Sequence, residues 1–204
     1  MEKRTIGIVG AFDRNGVYGI GPHLPWAGGD GRSLLKLDMA RFVEITRRTV
    51  PLEGKQNVLV VGRGTMKAMD WHPLPGRHTI ILSQTLTKDD IRAKIPSGKH
   101  VGLARNVQQA IDEALKLPDC GNILFGGGYD VWLQALKSGM CTHAFITVAM
   151  CDSVAMSAHQ GEVRRAAEIL DHATFPNMKV EGFQVSDIWG EQDIELEFRN
   201  YSQL

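Results

Sequence analysis

Two stretches constrain the fold more than any others. Val58-Leu59-Val60-Val61 runs straight into Gly62-Arg63-Gly64-Thr65, and Asn122-Ile123-Leu124-Phe125 runs into Gly126-Gly127-Gly128; a helical pattern follows each turn. Both apolar runs are too continuous for half-exposed strands and read as strands covered on both faces. A strand that ends in a glycine turn and opens a helix presents backbone N–H groups where an anion is welcome, although the same pattern also serves as an ordinary strand-to-helix turn. Repeated in an alternating chain, it implies one sheet with anion-receptive turns at its carboxyl edge, suited to an extended ligand bearing several phosphates. Neither turn is G-x-G-x-x-G, so the standard dinucleotide fingerprint is absent.

The remaining pattern is of the same kind. Residues Thr5 to Phe12 read as a central strand, Asp13-Arg14-Asn15-Gly16 as a turn, and Val17 to Pro22 as a glycine-bearing loop. Ser33 is the expected N-cap of a helix running to Arg48, with Pro51 after its stop and a polar loop from Glu53 to Asn57. Thr79 to Ser83 and His143 to Val148 read as strands, and Asn106 as the cap of a helix to Leu117; Thr85 to Gly98 reads as irregular. Residues 27–33 and 152–172 look like insertions, the second carrying an amphipathic helix on Val163, Ala166, Ala167 and Leu170. Lys179 to Trp189 and Asp193 to Tyr201, where apolar and charged residues alternate, predict an antiparallel edge pair. At 204 residues the expectation is a single α/β domain over 1–204, a mostly parallel sheet of about eight strands with helices on both faces.

The helix after Ser33 carries the most informative side chain. At helical spacing Leu34, Asp38, Phe42 and Ile45 share a face, so a carboxylate sits in a stripe that otherwise wants burial. Either Asp38 points outward at the helix edge, or it is buried and needs a hydrogen-bonding partner, such as a ligand with paired N–H donors. Arg77, in Leu74-Pro75-Gly76-Arg77 before a strand, is either solvated or a bidentate carboxylate clamp. Lysines and arginines balance aspartates and glutamates at 23 each, so no bulk charge argues for nucleic acid or an anionic membrane. Three cysteines with no C-x-x-C spacing suggest neither disulfide nor metal site, and a reducing compartment fits. With no apolar signal segment and no membrane-spanning run, a cytoplasmic protein is expected.

Taken together and in order, D-R-N-G-V-Y-G-I-G-P-H-L-P-W, D-M-A-R-F-x-x-x-T, E-G-K-Q-N-V-L-V-V-G-R-G-T, L-P-G-R-H-T-I-I-L-S, the turn at Gly127, F-I-T and the late F-P resemble dihydrofolate reductase over nearly the whole chain. The resemblance implies hydride transfer from NADPH to C6 of dihydrofolate with protonation of N5. It puts Asp38 at the family's acidic position, accepting from the pterin 2-amino group and N3, with Thr147 bonded to it and Trp26 helping to hold a water. It implies a substrate pocket of Val9, Gly10, Met39, Phe42 and Gly126, with Arg77 on the glutamate α-carboxylate. For the cofactor it implies Ala11 and Tyr18 at the nicotinamide and Gly62, Arg63, Gly64 and Thr65 at the phosphates, with Arg63 favouring NADPH over NADH. Ser83 and Gln84 fall at the adenosine end, and Gly127, Gly128, Tyr129, Asp130, Val131 and Trp132 at the pyrophosphate; Arg105 is either a further 2′-phosphate residue or a solvated one. No metal, nucleic acid or membrane enters, a monomer is expected, and antifolates become candidate ligands.

This chain departs from the family pattern at several places. Gly126 stands where Ile or Val is usual beside the pterin, Trp132 replaces a tyrosine, and Met66 replaces a tryptophan. The loss of a wall contact at Gly126 predicts weakened binding of diaminopyrimidine inhibitors such as trimethoprim. These departures keep two alternatives in view: a same-fold reductase of another pterin or of the ribosylaminopyrimidine of riboflavin synthesis, and a nucleotide- or pterin-binding protein without turnover.

Overall fold

The protein is described by a computed structural model over residues 4–48, 54–95, 101–171, 174–175 and 177–203. Pro51, Glu53, Gly98, His172 and Pro176, used in the sequence reading, lie outside the described residues. The strands are β1 (Ile6–Asp13), β2 (Val17–Ile20), β3 (Gln56–Gly62), β4 (His78–Leu82), β5 (Val101–Ala104), β6 (Cys120–Phe125), β7 (His143–Ala149), β8 (Val163–Arg165), β9 (Met178–Trp189) and β10 (Gln192–Gln203). The helices are α1 (Lys36–Arg47), α2 (Arg63–Ala68), α3 (Lys88–Lys94), α4 (Val107–Leu115), α5 (Tyr129–Lys137) and α6 (Ser153–Met156), with a 3-10 turn at Ala167–Leu170. Eight strands form one sheet in the order β5-β4-β3-β6-β1-β7-β10-β9, and β2 pairs with β8. The expected α/β sheet with an antiparallel C-terminal end is therefore present.

The chain divides into two compact units. In the first, residues 1–9 and 44–142, β3 pairs in parallel with both β4 and β6, β4 with β5, and β1 with β6. Val58, Val60, Ile81, Ile123 and Phe125 are fully buried, which accounts for the unbroken apolar runs. Helix α4 packs on β4, β5 and β6, and α5 on β3 and β6. The Asn106 side chain accepts from the Gln109 N–H as expected of a cap, whereas α3 occupies a stretch expected to be irregular. Its start is a reciprocal capping box between Thr87 and Asp90, which satisfies donors that a loop would leave to water. Asn57 closes the other end of α1: its Nδ2 donates to the Thr46 and Arg48 carbonyls at 3.1 and 2.9 Å.

In the second unit, residues 10–43 and 143–204, β10 pairs antiparallel with β7 and with β9 over their full facing lengths. Trp26, Leu35, Ala149, Cys151, Trp189, Ile194, Leu196 and Phe198 form one apolar cluster. Three expectations are corrected here. Residues 17–20 are strand rather than loop, and the amphipathic helix expected over 163–170 is instead β8 and a 3-10 turn. The two corrections have one cause, because Val17, Gly19 and Ile20 pair with Arg165, Arg164 and Val163, and this ladder overrides the helical spacing. The predicted insertion is thereby tied to the loop beginning at Asp13. Third, Ser33 does not cap α1, which begins at Lys36; its hydroxyl donates to the Leu35 carbonyl. The Asp187 carboxylate, from β9, accepts from the Leu37 N–H at 2.6 Å and supplies the cap. Among the described residues no helix is long and apolar enough to cross a membrane.

Candidate active site

Helix α1 buries a polar face. Asp38 and Arg41 are 6% and 8% exposed, while Leu34, which precedes the helix, is 39% exposed, so the buried stripe is not the one the apolar spacing suggests. The change follows from the capping: starting at Lys36 with Leu35 buried turns Asp38 and Arg41 inward. Arg41 Nη1 donates to Thr147 Oγ1 at 2.9 Å and Nη2 to Asn200 Oδ1 at 2.7 Å, and the guanidinium lies 4.5 Å from the centroid of the Phe198 ring. Burial pushes the Asp38 carboxyl from 3.8 up to about 6; the hydrogen bond from Thr147 and the charge of Arg41 oppose the rise, and the Asp187 carboxylate adds to it. Trp26 is fully buried in the cluster with Leu35, and its Nε1 has no hydrogen-bond partner among the described residues. Met39 is 37% exposed, Gly10, Ala11, Tyr18 and Phe42 are half-buried, and Tyr18 carries the Arg164 guanidinium 5.3 Å from its ring centroid.

The first unit brings the two glycine turns together. Gly62 N–H donates to the Gly127 carbonyl at 2.8 Å, and a Cβ on Gly62 would stand 3.2 Å from Val131. The Gly127–Gly128 peptide is cis. Helices α2 and α5 open at Gly62 and Gly128 with no side-chain cap, whereas α3, α4 and α6 are capped by Thr87, Asn106 and Asp152. Neither start carries a side-chain cap, which fits helix starts that meet the phosphates of a dinucleotide. Exposed Arg63 and Gly64 and half-buried Thr65 continue the first turn, with Arg63 Nη1 donating to Thr85 Oγ1 at 3.3 Å. Half-buried Tyr129 and exposed Asp130 begin the second. Trp132 is buried beneath Gly127 and donates from Nε1 to the carbonyl of buried Val9 at 3.0 Å, so its indole N–H is satisfied by the backbone of β1.

Other expected residues are occupied locally. The Ser83 hydroxyl accepts from the Thr85 and Leu86 N–H groups, Gln84 Nε2 donates to the Arg105 carbonyl, and Arg105 Nη1 donates to the Ser83 carbonyl at 2.6 Å. Arg105 therefore braces the ends of β4 and β5. Arg77 is 9% exposed and donates from Nη1 to Thr46 Oγ1 at 2.5 Å; burial and then the neighbouring Arg47 lower its pKa. Gly126 is half-buried beside Leu59, whose Cδ1 would lie 2.7 Å from an added Cβ, so the neighbouring strand already fills part of the volume a larger residue would take. Sequence reasoning missed Arg41 and Asp187. An arginine in D-M-A-R-F reads as a solvated helix residue, and Asp187 meets α1 only through a contact 150 positions away in the chain.

Comparison with known proteins adds an independent line. A profile described as dihydrofolate reductase matches residues 5–163. The chain is 32% identical over 152 residues to a dihydrofolate reductase of Drosophila melanogaster, covering 72% of this chain and 75% of that one. It is 28% identical over 149 residues to a dihydrofolate reductase of Aedes albopictus, covering 71% and 73%. A bifunctional dihydrofolate reductase-thymidylate synthase of Crithidia fasciculata is 30% identical over 145 residues, 66% of this chain but only 28% of that protein's length. The match over residues 5–163, on the sheet and turns just described, means that this chain belongs to the dihydrofolate reductase family.

Proposed function

We propose that the protein catalyses NADPH-dependent reduction of 7,8-dihydrofolate to 5,6,7,8-tetrahydrofolate. The observation that carries this reading is the buried Asp38 carboxylate on α1, which accepts a hydrogen bond from Thr147. Ionised near neutrality, Asp38 accepts hydrogen bonds from the pterin 2-amino group and N3, orients the ring and favours the protonated state of N5. The unpartnered Trp26 Nε1 holds the water through which that proton arrives. Arg77 takes the glutamate α-carboxylate, and Val9, Gly10, Met39, Phe42 and Gly126 line the pterin and aminobenzoyl groups. Hydride donation to C6 is the chemistry that NADPH supplies when bound. The uncapped starts of α2 and α5 meet its phosphates, Arg63 selects it over NADH, and Ala11 and Tyr18 meet its nicotinamide.

The family match and the relatives' names support dihydrofolate reduction in general; the cofactor preference and residue roles rest on the chemistry above. The test is the loss of reduced-nicotinamide absorbance when purified protein meets NADPH and dihydrofolate, with NADH and substrate-free controls. A rate that prefers NADPH is expected. NADPH binding without turnover would overturn the reading in favour of a reductase of another pterin or a binding protein.

A further inference from the structure

We propose that Arg41 is a positioning residue of the site: it fixes the direction of the hydrogen bond between Thr147 and Asp38, working against Asp187. The proposal rests on the reading of Asp38 as the pterin-binding carboxylate and adds a residue to which no role has been given. A guanidinium can only donate, so the 2.9 Å bond from Arg41 Nη1 obliges Thr147 Oγ1 to accept. The single hydroxyl proton of Thr147 is then directed to the other neighbour, the Asp38 carboxylate, and the bond between them runs from threonine to aspartate. When Asp38 is protonated the same polarity persists. Its acid proton is left on the side away from Thr147 rather than absorbed by the hydroxyl.

Arg41 itself is held from several sides. Asn200 Oδ1 accepts from Nη2 at 2.7 Å, the Arg199 carbonyl from the same nitrogen at 3.3 Å, and the Phe198 face lies 4.5 Å away. A guanidinium so fixed acts as a constant charge beside Asp38. Asp187, from β9, is the opposing group; its carboxylate accepts from the Leu37 N–H at 2.6 Å and from its neighbour Ile188 N–H at 2.9 Å, so it too is fixed. The charged groups facing Asp38 are therefore Arg41 from its own helix and Asp187 from β9, with the uncharged Thr147 from β7.

The two charges should move Asp38 in opposite directions. The experiment is a carbon-13 NMR titration of the Asp38 carboxyl in full-length apoprotein, assigned by loss of its signal in Asp38→Asn, for wild type, Arg41→Met, Arg41→Lys and Asp187→Asn. The expected result is a midpoint raised by about one pH unit in Arg41→Met, a tenfold change in proton affinity, and lowered in Asp187→Asn. Arg41→Lys keeps the charge and should return most of the way to wild type. A midpoint unchanged in Arg41→Met, whatever its thermal stability and whatever Asp187→Asn does, would overturn the proposal. If Arg41→Met does not fold, Arg41→Gln, which also removes the charge, takes its place under the same criterion. Because the carboxyl titration needs no turnover, a failure of the dihydrofolate assay is distinguishable from a failure here.

Discussion

Of the three buried carboxylates described in the second unit, Asp13, Asp38 and Asp187, the first two serve different ends. Asp13 is fully buried and meets four donors: the Asn15 and Val17 N–H groups, both at 2.8 Å, and the Ser153 N–H and hydroxyl at 3.1 and 2.8 Å. It is a structural anchor for the turn after β1. Asp38 instead has its carboxyl raised to about 6 by burial, so the native state holds its proton more tightly than the unfolded chain. The sign follows from linkage. Ionised Asp38 costs the fold on the order of 3 kcal/mol above about pH 6, and this penalty fades as pH falls toward the unfolded value near 4. Asp38→Asn should therefore raise the apoprotein Tm at about pH 8, with the gain shrinking toward about pH 4, while abolishing most turnover near neutrality. Thermal melts across pH check the first part, and a Tm gain independent of pH would contradict it. At Gly126 the same scale of reasoning gives a double variant. Gly126→Ile alone runs into Leu59, so Gly126→Ile with Leu59→Ala should tighten trimethoprim inhibition relative to Leu59→Ala alone; an unchanged inhibition constant would contradict the lost wall contact. Asp38 was legible in the sequence because it broke an apolar pattern. Arg41 was not, since its burial depends on partners from β7 and β10 that no local spacing announces.

At the level of elements, the strands of the sheet other than β5 were legible, and β5 and the second insertion were not. Continuous apolar runs have one good solution in an alternating chain, whereas Val163, Ala166, Ala167 and Leu170 fit a helix until a partner strand is available. That partner is β2, and the pairing is set by glycine. Gly16 adopts φ +75, and a Cβ there would stand 2.5 Å from the Ala167 Cα; at Gly19 a Cβ would stand against the Arg164 guanidinium. The junction is strengthened by Ala166 N–H donating to the Gly16 carbonyl at 2.9 Å and Gly21 N–H to Glu162 at 2.9 Å. Gly16→Ala should accordingly cost about 1–3 kcal/mol, from left-handed backbone strain plus the backbone clash. The loss should localise, with faster hydrogen exchange at residues 16–21 and 163–167 in the variant. Uniformly faster exchange throughout the chain would mean that the β2–β8 junction is not a local unit. Helix α3, by contrast, carried a readable signal: Thr87 followed three residues later by Asp90 is a short version of the capping box.

Across the whole molecule, the partition into two units poses a question about cooperativity that the three cysteines can answer. Cys120 and Cys141 belong to the first unit and Cys151 to the second, and all three are buried free thiols. Burial pushes Cys141 up to about 12 and Cys151 to about 11, and raises Cys120 as well, so thiolate is scarce and labelling has to wait for opening. Strand β1 and helix α1 each run from one unit into the other, so neither unit can open completely without disrupting an element of its neighbour. Opening should therefore be global. On the proposed reading the phosphate-binding turns belong to the first unit, and NADPH at a hundred times its Kd would stabilise the native state by about 2.7 kcal/mol. Labelling by a thiol reagent, resolved site by site by mass spectrometry, should then slow by about a hundredfold at Cys120, Cys141 and Cys151 alike. If Cys151 keeps its rate while the other two slow, the units open independently and the shared strand and helix do not couple them.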